Sequence, residues 1–229
     1  LLLGAHHQPI GAGGGCLQDL AAIDLSGLDK RLAGVEIVVA CDVDNPLCGE
    51  KGASAVFGPQ KGATPEMVQA LDSGLHHFAA IAARDLGLDI QSPAGAGAAG
   101  GMGGGVLLLP DARLQAGVQI VMEAVKLAEK VQDADLVITG EGRMDAQSVH
   151  GKTPIGVAHT AKAFGKPVIA IVGCLREDYE VVYAQGIDAV FPIIRQLGSL
   201  EEILQHGRDN LVSAAQNVAR IYQMGISRK

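Results

Sequence analysis

Short apolar runs alternate with amphipathic segments along much of this chain, and this alternation limits the folds available to it. The runs are rich in Val and Ile, as in VEIVVACDV and ADLVIT. Continuous β-branched runs are typical of strands that are buried on both faces of a parallel sheet. Because helices that join parallel strands form right-handed βαβ units, the pattern predicts an α/β fold. The predicted strands are 35–43, 134–139, 167–172 and 188–193, and the predicted helices are 64–87, 117–131, 154–164, 177–185 and 200–223.

Two charged clusters follow predicted strands, at the sheet edge where ligands bind in such folds. The first cluster, DVDN, contains Asp42, Asp44 and Asn45. Their oxygen atoms suit Mg²⁺, a hard cation that keeps several of its waters. An Asx-turn would explain the same residues, so a metal site and a structural turn are both open here.

The second cluster, TGEGRMDAQSVHGKTP, brings both charge signs together directly behind a strand. Gly140 and Gly142 flank Glu141, so the backbone can turn sharply and present charged side chains to a ligand. Arg143 can bind a carboxylate or phosphate through two parallel bonds, and Glu141 or Asp145 can hold Mg²⁺ or accept a hydroxyl proton. A structural corner of salt bridges would account for the same residues.

The second half of this cluster has the spacing of a phosphate-binding P-loop, with Ala146 in place of the first glycine. A true P-loop follows its strand at once, whereas GEGRMD intervenes here, so we disfavour that motif. Lys152, with Thr153 as helix N-cap and Pro154 at the first helical position, would still place a cation and backbone donors around an anion. A solvated lysine at a helix entry is the simpler alternative. His150 is a weaker candidate for proton transfer.

Glycine is unusually frequent, with 31 residues in 229. The segment AGAGAAGGMGGG includes the spacing Gly95-x-Gly97-x-x-Gly100, which matches a dinucleotide-binding fingerprint. No predicted strand precedes it, and no acidic residue stands at a second strand end about 20 positions later. We therefore favour close helix packing, or a backbone cradle for an anion, over a dinucleotide site.

Composition disfavours several classes of function. A net charge of -7 and only 3% aromatic residues disfavour nucleic acid as a partner. Apolar stretches such as VLLLP are far too short to span a membrane. The four cysteines form no CxxC pair, and we interpret them as reduced thiols in a cytoplasmic protein.

Three long segments, taken together and in this order, resemble the bacterial type-1 glycerate kinases. They are ACDVDNPLCGEKGASAVFGPQKGA, PAGAGAAGGMGGG and DLVITGEGRMDAQSVHGKTPIGVA. The resemblance implies Mg²⁺-requiring, ATP-dependent phosphorylation of D-glycerate, with 2-phosphoglycerate as the expected product. It also implies two α/β domains, one inserted into a doubly wound, flavodoxin-like domain, and a homodimer is a further expectation.

On this hypothesis the catalysis is phosphoryl transfer by positioning and charge neutralisation. The expected metal ligands are Asp42 and Asp145. The expected catalytic residues are Asp145, Glu141, Lys152 and Arg143. The expected substrate-binding and nucleotide-binding residues are Gly95, Gly97, Gly100, Gly101, Gly140, Gly142, Ser148 and Asn45.

The resemblance also predicts which part of the family this chain represents. Family motifs of the types ADGGEGT and GGSATNDGG are absent, so we expect a C-terminal portion. Residues 1–130 would be part of the inserted domain, and residues 131–229 would be the C-terminal part of the doubly wound domain. Two alternatives are a truncated ligand-binding fragment without turnover and, on the glycine fingerprint alone, a nicotinamide-dependent oxidoreductase.

Overall fold

The computed structural model describes residues 1–149 and 152–226. The contacts divide the chain into two compact units, Leu1–Gly117 and Val118–Lys229. This division lies before the boundary at residue 130 that the sequence suggested, and the assignment of the two parts as family domains stays a prediction. None of the helices in the described ranges is long and apolar enough to cross a membrane.

The first unit contains a parallel pair of strands and a long amphipathic helix. Strand β3 pairs with β4 in parallel, with Ile37 opposite Ala112 and Ala40 opposite Gln115. β1 and β2 form a separate antiparallel pair. The elements of this unit are β1 (Leu2–Leu3), β2 (Ala22–Ile23), β3 (Ile37–Ala40), α1 (Ala53–Phe57), α2 (Pro65–Leu86), α3 (Ala98–Val106) and β4 (Ala112–Gln115), with 3-10 turns at Gly14–Asp19, Lys30–Gly34 and Pro59–Lys61.

Helix α2 organises the core of the first unit, and its ends are those the sequence predicts. The Thr64 side chain accepts a hydrogen bond from the Met67 N–H at 3.3 Å, and Gly87 closes the helix with φ 69°. One face of α2 is buried against Leu47 and Ile90. The buried members of this face are Gly74, Leu75, Phe78, Ala79, Ile81 and Ala82.

The second unit is built on a parallel sheet with the order β5-β7-β9 in the described ranges. Val137 lies opposite Val168, and Ile169 opposite Ala189. The parallel sheets confirm the α/β class. From the unit boundary onward the elements are α4 (Gly117–Ala124), α5 (Leu127–Gln132), β5 (Val137–Thr139), β6 (Arg143–Met144), α6 (Thr153–Ala163), β7 (Val168–Val172), β8 (Cys174–Leu175), β9 (Ala189–Pro192), α7 (Leu200–Gln205) and α8 (Gly207–Ile226), with 3-10 turns at Ala146–Val149 and Tyr179–Gln185.

Helix α6 covers one face of this sheet. Its buried Ile155, Ala158 and Ala161 share a core cluster with Val168 and Val172 of β7. Successive residues of a strand point to opposite faces, so Ile169 points to the other face, where it borders a cavity together with Val218 of α8. Helices therefore lie on both faces of the sheet. Because its strands are parallel, the loops that follow them lie at one edge, the carboxyl edge, where ligands bind in such folds.

Three predicted helices differ from the observed ones. The helix predicted over 117–131 is interrupted at Lys126, whose backbone is left-handed with φ 53°. The segment predicted over 177–185 is a 3-10 helix. The long last helix is two helices that meet at His206, and a capping box between Ser199 and Glu202 starts the first of them.

Candidate active site

The loop after β5 runs as an extended segment beside its neighbour in the sheet. The Gly173 N–H donates to the Glu141 carbonyl and the Cys174 N–H to the Gly142 carbonyl, each at 3.0 Å. Pairing then continues as β6 beside β8, where Arg143 lies opposite Cys174. This backbone pairing holds the charged residues of the loop at the carboxyl end of the sheet.

Gly140 has a steric role at the start of this loop. A Cβ atom added there would lie 2.1 Å from the Ile171 carbonyl oxygen of β7, whereas a Cβ at Gly142 would meet nothing within 4 Å. The close approach of this loop to β7 therefore requires glycine at position 140 but not at position 142.

Asp145 and Ser148 form a reciprocal turn that begins the 3-10 helix. The Asp145 N–H donates to Ser148 Oγ at 3.1 Å, and the Gln147 N–H donates to Asp145 Oδ1 at 3.1 Å. The Ser148 hydroxyl donates to Glu141 Oε1 at 2.5 Å. The Ser148 hydroxyl therefore joins the Glu141 carboxylate to the backbone of Asp145, and because Ser148 is fully buried it has no surface exposed to a ligand.

Two cations lie over the carboxylates. Arg143 Nε is 3.1 Å from Asp145 Oδ2, and Lys152 Nζ is 3.6 Å from Asp145 Oδ1 and 4.0 Å from Glu141 Oε2. The carboxylate side chains are only 5% and 16% exposed, while those of Arg143 and Lys152 are 51% and 37% exposed. The cations are thus the groups that an incoming ligand meets first.

The environment of Asp145 keeps this residue ionised. Burial raises the pKa of its carboxyl group, but the charges of Lys152 and Arg143 and the Gln147 N–H outweigh burial. The pKa therefore lies below the ordinary value. A carboxylate of low pKa is a weak proton acceptor, so Asp145 is better suited to hold cations than to act as a general base.

One local prediction is wrong. Lys152, with φ -77° and ψ 156°, is the N-cap residue of α6, and Thr153 is already helical. The Lys152 carbonyl accepts from the N–H groups of Ile155 and Gly156, so the cap lies one residue earlier than the sequence suggested. His150 lies outside the described residues.

The glycine-rich segment has a packing explanation at most positions. Added Cβ atoms would lie 2.6 Å from Cys41 Sγ at Gly95, 2.3 Å from the Pro46 carbonyl oxygen at Gly97 and 2.8 Å from Leu75 Cδ2 at Gly101. Gly100 differs, because its surroundings are open and its φ is 74°. No described strand immediately precedes the fingerprint. The role of these glycines in an anion site stays a prediction.

The DVDN cluster is tied into the first unit. Asp42 Oδ1 accepts from the Gly117 N–H at 2.8 Å. Asn45 Nδ2 donates to the Lys51 carbonyl, and the Asn45 carbonyl accepts from the Gly97 N–H. Within residues 1–149 and 152–226, no three His, Cys, Asp or Glu side chains form a metal-binding group. Asp42 and Asp145 lie in different units, and their service as metal ligands stays a prediction.

Sequence reasoning missed the separate function of Ser148. Its hydroxyl accepts from the Asp145 N–H and donates to Glu141, and its service as a ligand-binding residue stays a prediction. It also missed the lining of a cavity in the first unit, to which Gln60 and Lys61 contribute. Both stand in the segment GPQKGA, whose glycines and proline mark a turn without indicating what the turn borders.

Comparisons with known proteins give a consistent result. The glycerate kinase family matches residues 1–223. The chain is 66% identical over 219 residues to a glycerate kinase of Haemophilus influenzae, covering 96% of this chain and 58% of that protein. It is 48% identical over 225 residues to the glycerate 2-kinase of Escherichia coli K12, covering 98% of this chain and 59% of that protein.

A solved structure agrees with these matches. A crystal structure of a Salmonella typhimurium LT2 protein, provisionally assigned as glycerate kinase 2, superposes with a TM-score of 0.78 at 50% identity. The superposition covers 99% of this chain and 59% of that one. This chain therefore spans about three fifths of the length of the relatives it matches. On the sequence matches and the shared fold, the chain belongs to the glycerate kinase family.

Proposed function

We propose that this chain acts in MgATP-dependent phosphorylation of D-glycerate, with 2-phosphoglycerate as the product. The observation that carries the proposal is the cluster of two exposed cations over two carboxylates at the carboxyl edge of the sheet. Phosphoryl transfer asks a protein mainly for aligned cations, because its loose transition state spreads negative charge over the transferred group. The relatives named glycerate kinase supply the substrate class.

Arg143 and Lys152 have distinct roles in this proposal. Only the Nε of Arg143 is used by Asp145, so its terminal N–H groups are suited to bind the glycerate carboxylate in a planar fork. Lys152 is a compact charge at the entry of α6 and suits a phosphate oxygen. Asp145 orients both cations, and Glu141, held by Ser148, is the better candidate to accept the glycerate hydroxyl proton.

The carboxylates also fit a magnesium ion. Mg²⁺ is held in proteins by one or two carboxylates together with waters and substrate phosphates, so a complete cage of protein ligands is not required. Lys152 Nζ lies 3.6 Å from Asp145 Oδ1 and 4.0 Å from Glu141 Oε2, so an oxygen of each carboxylate lies close to the same cation. Mg²⁺ held by these carboxylates would take the place that Lys152 Nζ has here, with Lys152 on a phosphate oxygen, and would neutralise charge on the phosphates. Asp42 is kept as a proposed ligand.

A coupled assay of the purified chain with D-glycerate and MgATP tests the proposal, with the product identified by NMR. Lys152→Ala should lower kcat/KM by about a hundredfold, the loss that follows removal of one charge-stabilising donor. Asp145→Asn should also lower it, because the two cations lose their shared anchor. Lys130→Ala, an exposed lysine of α5, is the matched control. Unchanged turnover in both site variants would refute the assignment.

A second candidate follows from the partial span of the relatives. The chain would then bind MgATP or glycerate without transferring phosphate. Binding in calorimetry, combined with no product in the assay, would favour this candidate. A nicotinamide-dependent oxidoreductase predicts tight NADH binding instead. A cytoplasmic location, which the four free cysteines suit, and a homodimer are further proposals.

A further inference from the structure

The first unit contains a cavity of about 480 Å³. None of the residues that line it belongs to the charged cluster around Glu141. Five separate stretches of the first unit build its wall: the 3-10 turn near the N-terminus, the segment after β3, the run from α1 into the turn Pro59–Lys61, helix α2 and the start of α3. The lining residues are Gly14, Val43, Ala53, Ser54, Phe57, Gly58, Gln60, Lys61, Leu71, Leu75, Ala99 and Gly100.

The wall of this cavity is mainly apolar, and its polar side chains include those at the end of the stretch from α1 to the turn Pro59–Lys61. Val43, Phe57 and Leu71 provide aliphatic and aromatic surface, whereas Gln60 and Lys61 are exposed neighbours that carry an amide and a positive charge. A cavity of several hundred Å³ with apolar walls and few polar groups is typical of small-molecule sites. Such a wall fits a ligand with a flat apolar body and an anionic end.

The backbone on one side of the cavity is held in an uncommon conformation. Ala99 has φ 51° and ψ 41°, and Gly100 has φ 74° and ψ 25°. Left-handed backbone is strained at a residue other than glycine and persists where surrounding structure imposes it, often at ligand sites. Close packing fixes the following residue, because a Cβ at Gly101 would collide with Leu75. Ala99 and Gly100 are therefore presented to the cavity by a rigid segment.

We propose that this cavity binds the nucleoside part of an adenine nucleotide, with Lys61 at the phosphates. D-glycerate is a poor match, because a three-carbon acid is polar throughout and would leave Phe57 and Leu71 uncovered. A purine presents an apolar face of suitable breadth, and its phosphates supply the negative charge that Lys61 complements. The inference rests on the proposed kinase activity and assigns one substrate of that activity to the first unit.

The absence of tryptophan from the sequence allows a direct test. Phe57→Trp places a single fluorescent indole in the cavity wall, and Leu71→Trp does so from α2 and serves as a second variant if the first does not fold. Met67→Trp, on an exposed position of the same helix, is the control. We expect MgADP to change the emission of the cavity variants saturably and to leave the control unchanged, while D-glycerate changes neither.

A charge variant tests the phosphate end. Lys61→Ala should weaken MgADP binding about tenfold and leave adenosine binding unchanged, because only ADP carries the charge that lysine meets. Lys51→Ala, another exposed lysine of this unit, should change neither.

Several results would overturn the inference. They are an emission change with D-glycerate but not with MgADP, equal changes in cavity and control variants, or no change with MgADP at all. The coupled assay separates this inference from the proposed function. Turnover of MgATP without a response from the cavity tryptophans refutes the site alone. A saturable nucleotide response without phosphorylation of glycerate refutes the activity alone.

Discussion

Replacing Gly140 by Ala should destabilise the second unit far more than the same change two residues later. The new Cβ would lie 2.1 Å from the Ile171 carbonyl oxygen, about an ångström inside the shortest contact that real Cβ atoms make, and the obstacle is backbone that cannot rotate away. Strand β7 must therefore shift from the β5 loop. Overpacking of this kind costs about 1–3 kcal/mol, and each weakened backbone hydrogen bond adds about 1 kcal/mol.

We therefore expect Gly140→Ala to lower the free energy of unfolding by about 2–4 kcal/mol, which corresponds to roughly 5–15 °C in Tm for a chain of this length. Gly142→Ala is the matched control, because its Cβ would meet nothing within 4 Å and its φ is not in the left-handed range. Its effect should stay within about 0.5 kcal/mol. Urea and thermal unfolding of both variants measure this difference. Equal stability of the two variants would show that the close approach at Gly140 is not what constrains this loop.

Three further measurements follow from the structure. Burial and the nearby Asp72 carboxylate raise the pKa of Cys48 to about 11, so Ellman's reagent at pH 8 should label Cys48 only after unfolding, whereas the other three cysteines, all partly exposed, should react in the folded chain. The pKa of Asp145 is lower in the folded than in the unfolded state. Its contribution to stability is therefore complete above the ordinary value of 3.8 and is lost as pH falls through the lowered value. Asp145→Asn should flatten the acid side of the profile of unfolding free energy against pH. Met144→Ala, at a fully buried position beneath the site, should cost about 2–5 kcal/mol in urea unfolding, and a loss below 1 kcal/mol would contradict its place in the core.

The regular elements were predictable because their signals are local. The cap at Thr64, Pro65 and the terminator Gly87 define α2 within a single stretch of sequence. Strand β7 follows from a short β-branched run, and β9 from the short apolar run AVFP. The break at Lys126 was not predictable, since a lysine that adopts φ 53° leaves no mark in the hydrophobic pattern. Tertiary packing decides such a position, and local preference does not.

The sequence predicted which residues form the candidate site, but it predicted their exposure and hydrogen bonds less well. The residues Glu141, Arg143, Asp145 and Lys152 do lie together, which their separation of eleven positions made plausible at a strand end. The sequence could not rank their exposure. That ranking depends on how Ser148 closes the turn, because its hydroxyl draws Glu141 inward. Close packing was predicted for the glycine-rich segment, but the partners of Gly95 and Gly97 were not, since they stand about 50 positions earlier in the chain.

The charge balance of the cluster bears on why a divalent cation belongs to the proposed reaction. Arg143 and Lys152 carry two positive charges, and Glu141 and Asp145 carry two negative ones, so the cluster is close to neutral. Glycerate and a triphosphate would bring several more negative charges to a partly buried surface, where uncompensated charge is costly. The two least exposed side chains, Asp145 and Glu141, are both carboxylates. They cannot offset the negative charge of the substrates, and they attract a cation instead. An added Mg²⁺ supplies the missing positive charge, and this is a physical reason to expect that ATP without Mg²⁺ binds weakly and is not turned over.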